Sequence, residues 1–461
     1  MKQKKEREKE ISQWPWISML PFGILAGYWG KREVRITAIS EYGFQTRLAA
    51  PATAEQKNAP WELAFYDQKT AFYQRILLRD ATFLQEKEED FNVVYTFATE
   101  QEDYRNAVQH LALQYSQYIR WKMEDDDAAL AEQMTGYPAE QDAFHLESLE
   151  EQKKVWFSGI GKETFVALQN GFAGSGQSVE LALELDRPEW YKAYLSMESA
   201  VFFDAYFRKN QIPDPPVFHP DRLYIGNAFC PHLAPPEEEL FALMDKACRE
   251  SFAITLTFPF LLEENLTETQ ARLQHLARWC EQKNKTIEIV VNDWGTAHLA
   301  AQLPVFSLCL GVLLNKRKKD PRMAYKLGNR TLFEQNSVHA AFYREYLKEE
   351  FRMERYEWES CGDTSTRKFP EGKNSLRLPF YQTNTSQYCP LYAACTEGSR
   401  GAQVPIRECP KFCERQAFLY PEHLRMVGRY NSLFGVDLTV LKRTGAMLEL
   451  RGVDRVVVNL L

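Results

Sequence analysis

RLYIG (222–226), FAITLTF (252–258) and TIEIVVND (286–293) decide how the second half of this chain folds. Each run is short, apolar and rich in branched side chains, which reads as a buried strand. Amphipathic stretches at 236–250 and 267–282 separate them. VFSLCLGVLL (305–314), a helix over 337–349 and RMERYEWES (352–360) extend the alternation. Repeated strand–helix units imply a parallel sheet covered on both faces, either open or closed into a barrel. In both forms function gathers at the carboxyl ends of the strands. Those ends carry Gly226-Asn227, Asn292-Asp293, Asn315-Lys316-Arg317 and Glu357-Trp358-Glu359. Asp293, Lys316 and Glu357 are therefore the candidates for substrate contact or catalysis. Asp293 serves equally well as the cap of a helix beginning near Thr296.

Past these units lies QYCPLYAACTEGSRGAQVPIRECPKFCERQAFLYP (387–421). Cys389, Cys395, Cys409 and Cys413 form a C-x5-C-x13-C-x3-C cluster. Two close pairs joined by a short Gly/Pro/Arg loop can converge four soft thiolates on zinc or an iron–sulfur centre. Reduced cysteines packed in a core are the plain alternative. Cys248, Cys280 and Cys309 sit in apolar contexts and read as structural.

The chain of 461 residues is long enough for about two to four domains. Its net charge of −7 excludes a global basic field of the kind that favours nucleic acid. A local patch remains at 315–322, where five of eight residues are cationic. Such a loop suits solvent, or a phosphate, an acidic substrate or RNA. No apolar run reaches the roughly 18 residues of a membrane span. The charged start, MKQKKEREKE, is followed by no signal-like apolar stretch. Nine cysteines without a paired framework suit a reducing, cytoplasmic compartment. No phosphate-loop, serine-elbow or zinc-protease motif occurs.

The first hundred residues have another texture. VRITAIS (34–40) and GFQTRLA (43–49) alternate around a turn at Glu41-Tyr42-Gly43, and WELAFYD, FYQRILLRDATFL and FNVVYTFA follow. These are strands, succeeded by a helix over 101–122 with apolar residues at three- and four-residue steps. The expected division is a small β-barrel with its helix at 1–123, a linker and unassigned segment at 124–220, and an α/β barrel at 221–461. The glycine-rich GFAGSG (171–176) reads as a turn.

Several pieces, in order, resemble the collagenase-like peptidase family (family U-thirty-two), whose members include proteins associated with oxygen-independent hydroxylation of ubiquinone and of tRNA. They are LYIGNAFCPH, TIEIVVNDWG, LLNKRKKDPR, ERYEWES, and the cysteine cluster before Phe418-Leu419-Tyr420-Pro421. The resemblance implies a TIM-like α/β barrel and a [4Fe-4S] cluster, with zinc as the alternative occupant. It makes Cys395, Cys409 and Cys413 ligands, while Cys389 and Cys230 compete for the fourth place and Cys361 stands outside. KREVRITAISEYGFQTRLA resembles a PilZ domain, a bacterial β-barrel that often binds cyclic di-GMP. Lys31, Arg32 and Arg35 would form its basic segment, and Ser40 and Gly43 its polar turn. Ala38 replaces the expected Asp or Asn, and Lys31 the first Arg. The expected function is a bacterial iron–sulfur barrel of redox or hydroxylation type, acting on an unknown small molecule or RNA. A PilZ-like module would regulate it or dock a protein partner. The alternatives are a cyclic di-GMP effector with a non-catalytic barrel and, third, a peptidase.

Overall fold

A computed structural model describes residues 11–18, 24–67, 72–89, 91–124, 146–161, 164–165, 179–212, 219–317, 319, 335–361, 369–398, 400–420, 425–442 and 452–461. The glycine-rich run 171–176 and Pro421 lie outside them, as do Lys318, Asp320, Pro321 and Arg322 of the basic loop. The chain divides into two compact units, one within residues 1–140 and one drawn from 141–461.

The first unit is an antiparallel sheet. Its strands are β1 (Ile17–Ser18), β2 (Leu25–Trp29), β3 (Arg32–Ser40), β4 (Gly43–Leu48), β5 (Trp61–Asp67), β6 (Phe72–Leu78), β7 (Thr82–Glu89) and β8 (Asn92–Ala98). They lie in the order β6-β5-β2-β3-β4-β8-β7, with β1 on β3, so β6 and β7 are the ends of the described ladder. Alternation sends one side chain in two to a common aromatic core. There Trp29 stacks on Trp61 with ring centroids 4.9 Å apart, and Phe44 and Phe97 meet Trp61 edge-on. The helix Glu102–Glu124 covers this core with Tyr104, Ala107, Val108 and Leu111, the helical period read in the sequence.

The second unit contains a closed barrel of eight parallel strands. They are β9 (Glu180–Leu185), β10 (Arg222–Ile225), β11 (Ala253–Thr257), β12 (Ile287–Val291), β13 (Phe306–Leu310), β14 (Arg355–Glu359), β15 (Lys373–Thr385) and, after an insertion, β19 (Arg455–Asn459). Neighbours in the barrel are neighbours in the chain, and β19 closes the ring by pairing with both β15 and β9. The first strand, ELALEL, therefore comes from the stretch that sequence reading left unassigned, ahead of residue 221. Helices Glu237–Arg249, Leu266–Lys283 and Trp294–Ala301 follow their strands as the periodicity predicts. The insertion between β15 and β19 adds β16 (Phe418–Leu419), β17 (Met426–Arg429) and β18 (Ser432–Val436), antiparallel to one another, with β18 laid along the far half of β15. All four clustered cysteines belong to this insertion.

The barrel interior is charged where the strand runs had looked simply apolar. Arg377 pairs with Glu184 and Glu357, Arg455 with Glu288 and Glu180, and Arg355 with Glu288 and Asp454. Tyr224 joins the groups by donating to Glu357 (2.8 Å) and accepting from Arg455 (2.8 Å). Buried charges persist when each has a partner, and here each of the three arginines is held by two carboxylates. No described helix is long and apolar enough to cross a membrane.

Candidate metal centre

The loop after β10 starts at Gly226, whose φ of +117° only glycine adopts without strain, and where a Cβ would fall 2.3 Å from the Thr257 carbonyl. Asn227 then shapes the turn. Its Oδ1 accepts from the backbone of Phe229 and Cys230, both at 2.8 Å, and its Nδ2 donates to the Asp186 carbonyl. Cys230 is carried to the carboxyl mouth of the barrel. Cys389 arrives from the insertion as the cap of the helix Pro390–Glu397, its Sγ accepting from Tyr392 N (3.4 Å) and donating to the Tyr430 carbonyl (3.1 Å). Cys413 sits in the short turn Phe412–Glu414. Cys230, Cys389, Cys409 and Cys413 line one small cavity together with His232 and Tyr430.

Cys395 does not line that cavity; its thiol donates to the Gln416 side chain (2.7 Å). Cys361 is buried at the end of β14 and does not line it either. The structure thus places both competitors for the fourth position, Cys230 and Cys389, around the same space as Cys409 and Cys413.

Burial pushes the Cys230 thiol well above its ordinary value, and the neighbouring Cys413, Cys389 and Cys409 add to the rise. Cys413 is pushed up to about 12 by burial, against the pull of Arg429. Burial also raises Cys389, opposed by the backbone N–H groups of Tyr392 and Leu391. Thiols that raise one another do not share negative charge unless a cation is set among them. Among the described residues, no three His, Cys, Asp or Glu side chains meet as a single metal ion would require.

The thiols are reached from outside. A cleft of 540 Å³ is lined by Cys230, Cys389, His232, Gln387, Tyr388 and Asn431. A second of 410 Å³ lies over the ends of β10 and β11, with Gly226 and Thr257 in its wall and Arg272, Arg407 and Lys411 around it. Both include Pro231, His232, Glu264 and Ile406, so they are lobes of one groove. Volumes of this size suit small molecules. The Thr257 hydroxyl is buried in the wall with no hydrogen-bond partner.

The expected substrate-contact residues lie elsewhere. Asp293 caps the helix Trp294–Ala301, accepting from Thr296 N (2.8 Å) and Thr296 Oγ1 (2.7 Å). Lys316 is exposed, while nearby Lys319 is buried in an ion pair with Glu359. Glu357 is enclosed in the barrel, its carboxylate held by Arg377 and Tyr224. None of the three lines either lobe. Sequence reading placed Asn227 at a strand end but missed the other polar supports of the mouth, Tyr430 and Asn431. The signal for these two was Tyr430-Asn431 between two short apolar runs, an ordinary hairpin turn by composition.

In the first unit, Lys31 precedes and Arg32 begins the nine-residue β3, while Ser40 ends it and Gly43 opens β4. A strand rises about 3.3 Å per residue, which sets the two groups roughly 25 Å apart. Arg35 lies between them, exposed and opposite Arg47. Tyr104 already fills the polar turn, its hydroxyl donating to the carbonyls of Ser40 (2.8 Å) and Gly43 (2.7 Å). The five residues do not come together.

No family model matches the chain, and no curated protein matches it. Among solved structures, the crystal structure of an uncharacterised Legionella protein is similar over 23% of this chain and 96% of its own, with 17% identity and a TM-score of 0.16.

Proposed function

We propose that the α/β barrel is an iron–sulfur oxidoreductase whose centre is held by Cys230, Cys389, Cys409 and Cys413 and whose substrate binds in the groove beside them. The observation that carries this reading is the meeting of four cysteines, one from a strand end and three from the insertion, around one cavity at the carboxyl mouth. The donor set fits. Soft thiolates suit iron and zinc alike, but a polynuclear cluster takes each thiolate on a different metal atom. Such a centre does not need its thiolates to converge on one ion, and among the described residues no group suited to a single ion is found. When bound, it would exchange single electrons with a substrate in the groove.

The chain's own residues do the rest. N–H groups of Tyr392 and Leu391 offset thiolate charge at Cys389, and Arg429 does so at Cys413. Proline, phenylalanine and leucine side chains line part of the second lobe, beside the cations Arg272, Arg407 and Lys411. The first unit, whose resemblance to a PilZ domain rests on its sequence, is read as a docking or regulatory module, because its candidate nucleotide residues are divided along β3.

The test is anaerobic reconstitution of the full chain with ferrous iron and sulfide. The expected result is brown protein with about four irons and four sulfides per chain. Colourless protein that retains one zinc and takes up no sulfide overturns the redox reading.

A further inference from the structure

Cys230 and Cys389 belong to loops far apart in the chain, and one side chain lies between those loops. Asn431 is 4% exposed. Its Nδ2 donates to the Phe229 carbonyl (2.7 Å), one residue before Cys230, and to the Ser386 carbonyl (2.7 Å), three before Cys389. Both protons of the amide are thereby committed, one to each cysteine loop. Its Oδ1 accepts from Ser432 Oγ (3.3 Å), and its main-chain carbonyl accepts from Ser386 N (3.0 Å).

The residue before it completes the joint. Tyr430 turns the chain at a φ of +59°, its carbonyl takes the Cys389 thiol, and its hydroxyl donates to Asp186 Oδ2 (2.9 Å) at the end of β9. The Asp186 carbonyl in turn holds Asn227, which fixes Cys230. A closed circuit of hydrogen bonds therefore runs from one cysteine to the other, with Asn431 as its shortest link.

We infer that Asn431 is a positioning residue: its amide sets the separation of Cys230 and Cys389. This rests on the reading that these thiols belong to one centre. No other residue type offers the same link. Aspartate keeps the shape and loses both donors, glutamine is one methylene too long, and alanine leaves two buried carbonyls without this donor.

The test is made on metal-free full-length protein in which Cys395, Cys409 and Cys413 are serine. A short reagent that must alkylate two thiols at once is added, and the bridged Cys230–Cys389 peptide is measured by mass spectrometry. The expected result in Asn431→Asp and Asn431→Ala is a loss of bridging of roughly tenfold, the scale on which ångström displacements change proximity-driven reactions. Circular dichroism and alkylation by a one-armed reagent stay unchanged. Equal bridging in parent and variants overturns the proposal, as does an absence of bridging in the parent. Unfolding of both variants overturns it too, since Asn431 would then support the whole insertion. Iron uptake by the unmutated chain reads the parent hypothesis separately: bridging that falls in a chain unable to bind iron leaves the positioning role standing and removes the centre.

Discussion

Arg377 reaches Glu184 with one end of its guanidinium and Glu357 with the other, and none of the three side chains is more than 2% exposed. One cation thus serves two carboxylates inside the barrel. Removing it leaves both carboxyls buried without their cation, and breaking a buried pair of this kind costs about 3–5 kcal/mol. Arg377→Met is expected to lower the stability of the barrel by that amount, measured by urea denaturation. The double variant Arg377→Met/Glu184→Gln, which removes one of the carboxylates left behind, recovers part of the loss. A single variant as stable as the parent would show that the network contributes nothing.

The same crowding predicts a pH dependence. Burial pushes Glu184 from an ordinary value of 4.5 up to about 7, with Arg377 opposing the rise and Asp186 and Glu357 assisting it. Glu357 moves up for the same leading cause. A carboxyl raised in the folded state binds a proton that the unfolded chain releases. Its contribution is therefore fully present below pH 4.5 and is lost as pH rises through 7. The size is on the order of 3 kcal/mol for a shift of this extent. Burial raises Glu288, but Arg455, Arg222 and Arg355 together outweigh it and move the group downward, so its contribution is present above the ordinary carboxyl value and is lost only on acidification below it. Thermal melts are expected to show stability falling between pH 5 and 7 (approximate limits set by that shift), with a shallower slope in Glu184→Gln. A slope unchanged by that substitution removes Glu184 as its source.

How much of this was legible depends on which way each side chain points. RLYIG, FAITLTF and TIEIVVND announced a covered parallel sheet because their outward residues are apolar and helical periods lie between them. ELALEL and RVVVN escaped assignment. The first stands alone after a stretch without motifs, and the second follows the cysteine insertion. Glu180 and Glu184 on one face of ELALEL and Glu288 in TIEIVV were the mark of a polar barrel interior, but a charged face also describes a strand with one side in water. The resemblance ranks Cys395 among the ligands while the cavity lining omits it, and the difference has a geometric reason. Cys389 caps a helix, and Cys395 six residues on lies about 240° around that helix, away from whatever its cap faces. The basic segment and polar turn of the first unit looked adjacent because they are close in the chain, yet an extended strand is the conformation that separates neighbours most.

Tyr104 holds the turn between β3 and β4 through a fully buried hydroxyl whose single proton is shared between the Ser40 and Gly43 carbonyls. Tyr104→Phe keeps the ring in the aromatic core and leaves the Ser40 and Gly43 carbonyls without that donor. Unsatisfied buried acceptors cost about 1–3 kcal/mol. The expected outcome is a loss of this size in the denaturation transition of the first unit, followed by its tryptophan emission, with iron loading of the barrel unaltered. Unchanged stability would mean that water replaces the hydroxyl at the turn.

The ligand set separates what spacing suggests from what the fold assembles. Spacing groups Cys389, Cys395, Cys409 and Cys413, and the resemblance favours the last three, whereas the cavity is lined by Cys230, Cys389, Cys409 and Cys413. Serine substitution of each cavity cysteine is expected to remove most of the iron and sulfide after reconstitution, because an alcohol of ordinary acidity does not replace a thiolate on iron. Cys395→Ser is expected to retain the full complement, since its thiol is engaged by Gln416 and lies outside the cavity. Electron paramagnetic resonance of the reduced protein adds a second reading. The Cys395→Ser spectrum should superpose on the parent, while any residual centre in Cys230→Ser should differ in line shape. Loss of iron in Cys395→Ser with retention in Cys230→Ser would return the fourth position to the insertion and break the link between the centre and the β10 loop.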